Sequence, residues 1–305
     1  MRGIERLRHR RHRKAEALLL RSLPIGRRLG TGRFPGVGRL VRVGRLLAIA
    51  CGFAITCSPA AGAPRAAGEE ACNRATFAIA IDAGHTRAEP GATSARGVPE
   101  RAFNEALAAQ VVGTLRRAGF ERTFATHADD DSAIRLDDRT RIAAQRGARL
   151  FVSIHHDSVQ PQHLQGWTHH GSAHRYTPHI RGHSLFVSGR DGKTAKSLRF
   201  ARLFGGELRR QCLVPTLHHA EPIAGESREL LDRGLGIHRY DDLAVLRTAS
   251  MPAVLFEAGV IVHRDEELQL QKPAHRRRLA IALTRAAVAF CEGREPARTA
   301  MPRCR

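Results

Sequence analysis

Two histidines and two glutamates in this sequence could together hold and use a metal ion: they are His85, Glu100, His155 and Glu257. Two imidazoles and one carboxylate form a common catalytic zinc shell, which leaves a fourth coordination position for water. A second carboxylate nearby can take a proton from that water and later give it to a leaving amine. The residue types therefore indicate a metal-dependent hydrolase. The alternative is that they are merely polar residues at a solvent-exposed edge.

Three of these four residues come at or just after the end of a short apolar run. The runs cover residues 77–81, 150–154 and 253–256, and they precede His85, His155 and Glu257 in turn. Glu100 stands instead at the start of a helical pattern, after a loop rich in glycine and proline. Ligands of open α/β sheets bind at the carboxyl edge of the strands, so we expect all four side chains to meet there.

The elements needed to position these residues alternate along the chain. Apolar runs predict strands at residues 77–81, 120–126, 150–154, 184–187, 243–246 and 253–256. Apolar residues at helical spacing predict helices at residues 101–118, 136–146, 194–211 and 274–290. This alternation predicts a single α/β domain with a mostly parallel sheet of about six strands, flanked by helices on both faces.

The chain before the first strand has a different composition. Residues 1–45 contain 14 Lys or Arg and two Glu, so they contribute +12 of the net charge of +21. The apolar segment 46–57 follows, and then small residues up to position 63, which is typical of an export signal peptide with a long basic start. We expect four regions: a basic start and signal peptide at 1–63, a linker at 64–76, a catalytic domain at 77–292 and a tail at 293–305.

Export would place the protein in the periplasm, in the cell envelope or outside the cell. The alternative is that segment 46–57 remains as a membrane anchor, although it is short for a membrane span. The basic start by itself could also indicate nucleic-acid binding, but the apolar segment behind it favours export. We therefore expect no nucleic-acid partner and no stable membrane span after processing.

Four cysteines follow the predicted signal peptide: Cys72, Cys212, Cys291 and Cys304. An even number of cysteines in an exported protein predicts two disulfide bonds, for which three connectivities are possible. Buried free thiols are the alternative. None of these cysteines forms a CxxC pair, which argues against a cysteine-ligated zinc site.

The four candidate residues lie in motifs that resemble those of zinc-dependent N-acetylmuramoyl-L-alanine amidases of the amidase-3 type, which are bacterial cell-wall hydrolases. The motifs are IDAGH at 81–85, GVPERAFNEALA at 97–108, SIHHD at 153–157 and VLFEAG at 254–259. They occur in the family's order, within a stretch from residue 77 to about residue 290. The resemblance depends on all four motifs together, since each alone is short.

This resemblance implies a mixed sheet of about six strands and one Zn²⁺ held by His85, Glu100 and His155, with water as the nucleophile. Glu257 would act as the general base and then as the general acid. The bond cut would join the lactyl group of N-acetylmuramic acid to the L-alanine of the stem peptide, so the partner would be peptidoglycan. A protein activator is a further possible partner.

Three more residues are candidates for contacts with the substrate or with the ligands. Asn104 matches an asparagine in the family's second motif, and Arg139 matches an arginine that we interpret as structural. His156 stands where the family has a small residue, and it could donate to a transition state or replace His155 as a ligand. Because neighbouring strand residues point to opposite faces, only one of the two histidines can face the site, and the motif favours His155.

Two histidine-rich stretches lie outside the ligand motifs. The insertion 157–183 suggests either a solvated loop that contacts substrate or a second metal site, through His163, His169, His170, His174, His179 and His183. A later loop contains a second polar cluster, formed by His218, His219, Glu221 and Glu226. An inhibitory segment that covers the zinc is one possible role for this loop, although it is short.

Two other functions remain open from the sequence. The same four residues could serve a zinc amidohydrolase or peptidase that acts on another substrate. A non-catalytic protein that binds the cell wall could also keep the fold, but such a protein would have no use for Glu257.

Overall fold

A computed structural model describes residues 72–126, 134–190 and 192–296. The predicted signal peptide and most of the predicted linker lie outside these ranges, as does residue 297 onward in the predicted tail. Within these ranges, no helix combines the length and the apolar character needed to cross a membrane.

The described residues form nine strands and six α-helices. The strands are β1 (Ile79–Ala83), β2 (Phe124–Ala125), β3 (Leu150–Asp157), β4 (Gln165–His169), β5 (Ser172–Tyr176), β6 (Ser184–Val187), β7 (Glu229–Asp232), β8 (Ile237–Arg239) and β9 (Ala253–Val260). The helices are α1 (Glu100–Arg117), α2 (Leu136–Gln145), α3 (Thr194–Arg210), α4 (Ala244–Thr248), α5 (Arg264–Leu270) and α6 (Pro273–Cys291).

Seven of the strands form one mixed sheet in the order β2-β1-β3-β9-β6-β8-β7. Strands β2, β1, β3 and β9 are parallel, and β6 joins β9 in the antiparallel sense. Strand β8 is parallel to β6, and β7 closes the sheet as an antiparallel edge. The predicted mixed, mostly parallel α/β fold is confirmed, with one strand more in the sheet than expected. Strands β4 and β5 form a separate hairpin.

Helices cover both faces of this sheet, as predicted. On one face, α1, α3 and α6 pack on alternate strand residues such as Val152 and Phe256. On the other face, α2 and α4 pack on the intervening residues, which include Phe151 and Leu255. Burial on both faces explains why the central strands are continuous apolar runs in the sequence.

Two strand predictions were wrong in type or extent, and four strands were not predicted. Residues 243–246 do not form a strand, because 244–248 form α4, with Val245 and Leu246 buried on the sheet. A four-residue apolar run fits a buried helical turn as well as a strand. Of the run 120–126, only β2 pairs with the sheet. Strands β7 and β8 and the hairpin had no clear apolar pattern, and the sequence did not predict them.

Strands β3 and β9 are both longer than their apolar runs. The runs end at residues 154 and 256, but the hydrogen-bonded ladder continues, with His155 opposite Glu257. Both residues therefore lie within the strands, whereas the sequence predicted that they follow the strands. A strand holds a side chain more rigidly than a loop does, so this extension matters for the site.

A disulfide bond between Cys72 and Cys291 joins the start of the described chain to the end of α6, with the Cα atoms 5.3 Å apart. It is one of the pairings that the cysteine count allows. Cys212 is disulfide-bonded as well. The bond between Cys72 and Cys291 closes a sequence separation of 219 residues, so it removes much conformational freedom from the unfolded chain.

We expect Cys291→Ser to lower the free energy of unfolding by about 2–4 kcal/mol, because the unfolded chain regains the freedom that the bond had removed. Urea denaturation of the oxidised protein measures this change. Cys72→Ser is the matched control, since it breaks the same bond and should cost the same. The double variant should be no less stable than either single one, and a roughly doubled loss would contradict this pairing.

Candidate metal centre

Three of the predicted site residues meet at the carboxyl edge of the sheet. Glu100 lies between the two histidines, with His85 Nε2 at 2.9 Å from Oε2 and His155 Nδ1 at 3.0 Å from Oε1. One ligand atom from each residue lies within 4.8 Å of the others, which is compatible with a shared metal ion. The structure thus brings together the three residues that the motifs had singled out.

The turn after β1 aims His85 into this group. His85 has φ of 71°, in the left-handed region that residues other than glycine seldom adopt. Gly84 donates its N–H to the Ile154 carbonyl at 2.8 Å, which ties the turn to β3. A Cβ at Gly84 would overlap the imidazole of His155, so glycine is needed for this close approach. Strained backbone of this kind is often found at functional sites.

A buried ion pair beneath the site holds this turn in place. Arg139 on α2 pairs with Asp82 at 3.2 Å, and both side chains are almost fully buried. The same guanidinium donates to the carbonyls of Ala83 and His85, at 3.1 and 3.0 Å. Arg139 therefore fixes the backbone of His85, which fits its interpretation as structural. No role was predicted for Asp82, although an acidic residue that follows an apolar run inside a motif was an available signal.

Glu100 is the most completely bonded member of the group. It accepts the N–H groups of Ala92 and His156 at 3.1 and 3.2 Å, and Asn104 donates to it at 3.2 Å. Burial alone would raise the pKa of Glu100, but hydrogen bonds and positive charge from His155 and His85 outweigh burial and hold that pKa well below its usual range. The carboxylate is therefore ionised, as a metal ligand must be.

The ring of His156 points away from this group. Its Nδ1 lies 2.7 Å from Asn104 Oδ1, and the ring lies against Phe103 on α1. Burial lowers the pKa of His156 to about 3, so the ring is neutral. Alternation along β3 thus separates the two adjacent histidines, and the converging atoms include those of His155 but not those of His156.

Glu257 lies beside His155 on the neighbouring strand. Its side chain faces the same side of the sheet, because the two residues are paired in register. Its Oε2 is buried and has no hydrogen-bond partner among the described residues. Burial, together with the negative charges of Asp157 and Glu100, raises the pKa of Glu257 well above its usual value. A buried polar atom of this kind is uncommon, and a catalytic role is one of its recognised explanations.

Open space adjoins the three converging residues. A cleft of about 460 Å³ is lined by His85, His155 and Arg139, among others. Gly91, with φ of +80°, lies on the other side of the group, and a Cβ there would come within 2.6 Å of Glu100 Oε2 and of His85 Cδ2. Because Gly91 has no side chain, the space beside Glu100 and His85 stays open. Two imidazoles, one carboxylate and this space fit a zinc ion.

The two histidine-rich stretches, the insertion 157–183 and the later loop around His218, have different structures. Most of the insertion 157–183 forms the hairpin of β4 and β5, in which Trp167 donates to the Ala95 carbonyl at 2.9 Å. Among the described residues, neither group that could hold a metal includes a histidine of the insertion. In the later loop, His219 contacts Glu226, whereas Glu221 pairs with His163.

The family model described as N-acetylmuramoyl-L-alanine amidase matches residues 79–289. A probable N-acetylmuramoyl-L-alanine amidase, AmiB of Haemophilus influenzae, is 26% identical over 246 residues, which cover 72% of this chain and 53% of that protein. The amidase AmiA of Escherichia coli is 24% identical over 222 residues, covering 70% of this chain and 75% of AmiA. This chain thus spans about half of the first relative and three quarters of the second.

A solved structure shows the same fold. The crystal structure of the amidase Ami1 from Mycobacterium smegmatis matches with a TM-score of 0.57 and 21% identity, covering 73% of this chain and 100% of Ami1. The structural match supports the fold, and the family match covers more than half of the chain. The chain belongs to the N-acetylmuramoyl-L-alanine amidase family.

Proposed function

We propose that this protein is a zinc-dependent N-acetylmuramoyl-L-alanine amidase. It hydrolyses the amide bond between the lactyl group of N-acetylmuramic acid and the L-alanine of the stem peptide in peptidoglycan. The observation that carries this proposal is the placement of Glu257 beside a group of two histidines and one glutamate at the sheet edge, with a buried Oε2 that has no hydrogen-bond partner among the described residues. The family match supports the choice of substrate.

In this proposal His85, Glu100 and His155 hold the zinc ion. A zinc ion in such a site supplies Lewis acidity, which polarises a carbonyl and makes water more acidic. The chain's own contribution is to keep the three donors in place. Arg139 holds the backbone of His85, and Asn104 orients Glu100 by donating to it at 3.2 Å.

Glu257 moves protons in this proposal. Its carboxylate takes a proton from water and later gives it to the leaving amine. Burial and two nearby carboxylates raise its pKa, and a cation close by would oppose that shift. The balance between these effects suits a group that must act both as a base and as an acid.

We propose that the site works outside the cytoplasm, after export directed by residues 1–63. The chain after residue 63 carries +9 of the net charge of +21, because residues 1–45 carry the other +12, and this excess is compatible with attraction to an anionic envelope. The hairpin of β4 and β5 contacts the loop before Glu100 through Trp167, which supports a role for the hairpin in binding substrate. The possible protein activator stays a prediction.

The direct test is the product of the reaction. We expect the full-length protein, loaded with zinc, to release from purified peptidoglycan soluble stem peptides that begin with L-alanine. Mass spectrometry identifies them, and a chelator should abolish their release. Cleavage of a different bond would show that the enzyme acts on another substrate. Bound zinc without any cleavage would favour a wall-binding role, unless an added activator restored cleavage.

We expect Glu257→Gln to lower turnover by about 10²–10⁴-fold while the zinc content stays unchanged, because the amide cannot transfer the proton but the ligands remain. Release of stem peptides and elemental analysis measure the two quantities. Glu229→Gln, which changes an exposed glutamate of β7, is the matched control and should leave both unchanged. A near-normal rate in Glu257→Gln would refute this role.

We expect Gly91→Ala to weaken zinc binding at least about tenfold, or about 1.4 kcal/mol, because the new methyl group would press on Glu100 and His85. Competition with a chelating dye measures the affinity. Gly171→Ala is the control, since Gly171 also has positive φ, of +77°, but has no atoms within 4 Å of the added carbon. If both variants lost the same zinc affinity, backbone strain alone would explain the effect.

A further inference from the structure

A second group of potential metal ligands lies close to the first. It consists of Asp157, His218 and His219, with one ligand atom from each within 4.8 Å of the others. Asp157 is the last residue of β3, two positions beyond His155 and so about 7 Å along the strand. The two histidines lie in a short turn, His218–Ala220, between α3 and β7. The charge of Asp157 and that of Glu100 both act on Glu257.

The two rings face a single carboxylate oxygen. His219 Nε2 lies 2.8 Å and His218 Nε2 lies 3.5 Å from Asp157 Oδ2. The other nitrogen of each ring is already held, with His219 Nδ1 at 2.9 Å from Glu226 Oε2 and His218 Nδ1 at 3.0 Å from Thr216 Oγ1. Metal-binding histidines are usually oriented in this way, by a hydrogen bond to the nitrogen that does not bind the metal.

Protonation of His219 can explain the contacts of that ring, but it does not explain the burial of His218. If His219 carried protons on both nitrogens, it would donate to Asp157 and to Glu226. Burial would lower the pKa of His219, but these carboxylates outweigh burial and raise it to about 9. A doubly protonated His219 leaves His218 Nε2 without a hydrogen bond. Its side chain is only 2% exposed, and its Nε2 is buried with no hydrogen-bond partner among the described residues.

We propose that Asp157, His218 and His219 form a second metal site, which takes Zn²⁺ or a similar divalent transition ion. Two imidazoles and a carboxylate are ligands that suit such an ion. An ion between them would give His218 Nε2 the partner that it lacks. Glu226 then holds the ring of His219 from behind. The ion ties the loop after α3 to the end of β3, beside the first group.

The test is a count of bound zinc in the full-length protein. Protein saturated with Zn²⁺ and then desalted is analysed by elemental mass spectrometry. We expect two ions in the wild type, one in Glu100→Gln, one in His218→Gln and none in the double variant. His163→Gln is the matched control, since His163 pairs with a glutamate at 2.9 Å outside both groups, and it should keep two ions.

The counts separate this site from the first one. One ion in the wild type and none in Glu100→Gln would overturn the second site and leave the first intact. One ion in both of these proteins, with none in His218→Gln, would support the second site and refute zinc binding by the first group. Two ions in His218→Gln would also overturn the proposal. If His218→Gln does not fold, the Co²⁺ absorption of Glu100→Gln decides, since only an occupied second site would give it.

Discussion

The site depends on one buried carboxylate, Glu100, that two imidazole rings share. A buried ionised group is costly unless it is paired and hydrogen-bonded, and Glu100 finds partners in several elements at once. His85 comes from the turn after β1, His155 from β3, Asn104 from α1 itself, and the Ala92 N–H from the loop between β1 and α1. The group of His85, Glu100 and His155 can therefore form only when β1, β3 and α1 are packed together, so the site assembles as these elements fold.

The parallel register of the central strands then determines which side chains meet at the site. It places Gly84 against the ring of His155 and places His155 opposite Glu257. The core below is apolar and buried, whereas the edge above it holds a strained His85 and a Glu257 whose Oε2 has no hydrogen-bond partner in the described part of the chain. Proteins tolerate such costs at functional sites and pay for them with stability elsewhere. Here the compensation comes from helices on both faces and from the bond between Cys72 and Cys291.

The two residues that follow His155 on β3 have different partners. His156 turns into the core and meets Asn104, so it packs under Glu100. Asp157 turns to the opposite side and meets His218 and His219. Strand alternation makes this division necessary. Asp157 thus joins β3 to the loop after α3, and this contact carries the proposed second metal site.

By itself, the sequence determined the mostly parallel α/β fold and the grouping of His85, Glu100, His155 and Glu257. It could do so because strands buried on both faces appear as continuous apolar runs, and because residues at their carboxyl ends share one edge. Only the tertiary structure decided that 243–248 contain a helix. It also decided which cysteines pair, that Asp82 holds Arg139, and that His218 and His219 meet Asp157. These features join residues far apart in the chain, and local patterns of polarity do not record which distant partners will meet.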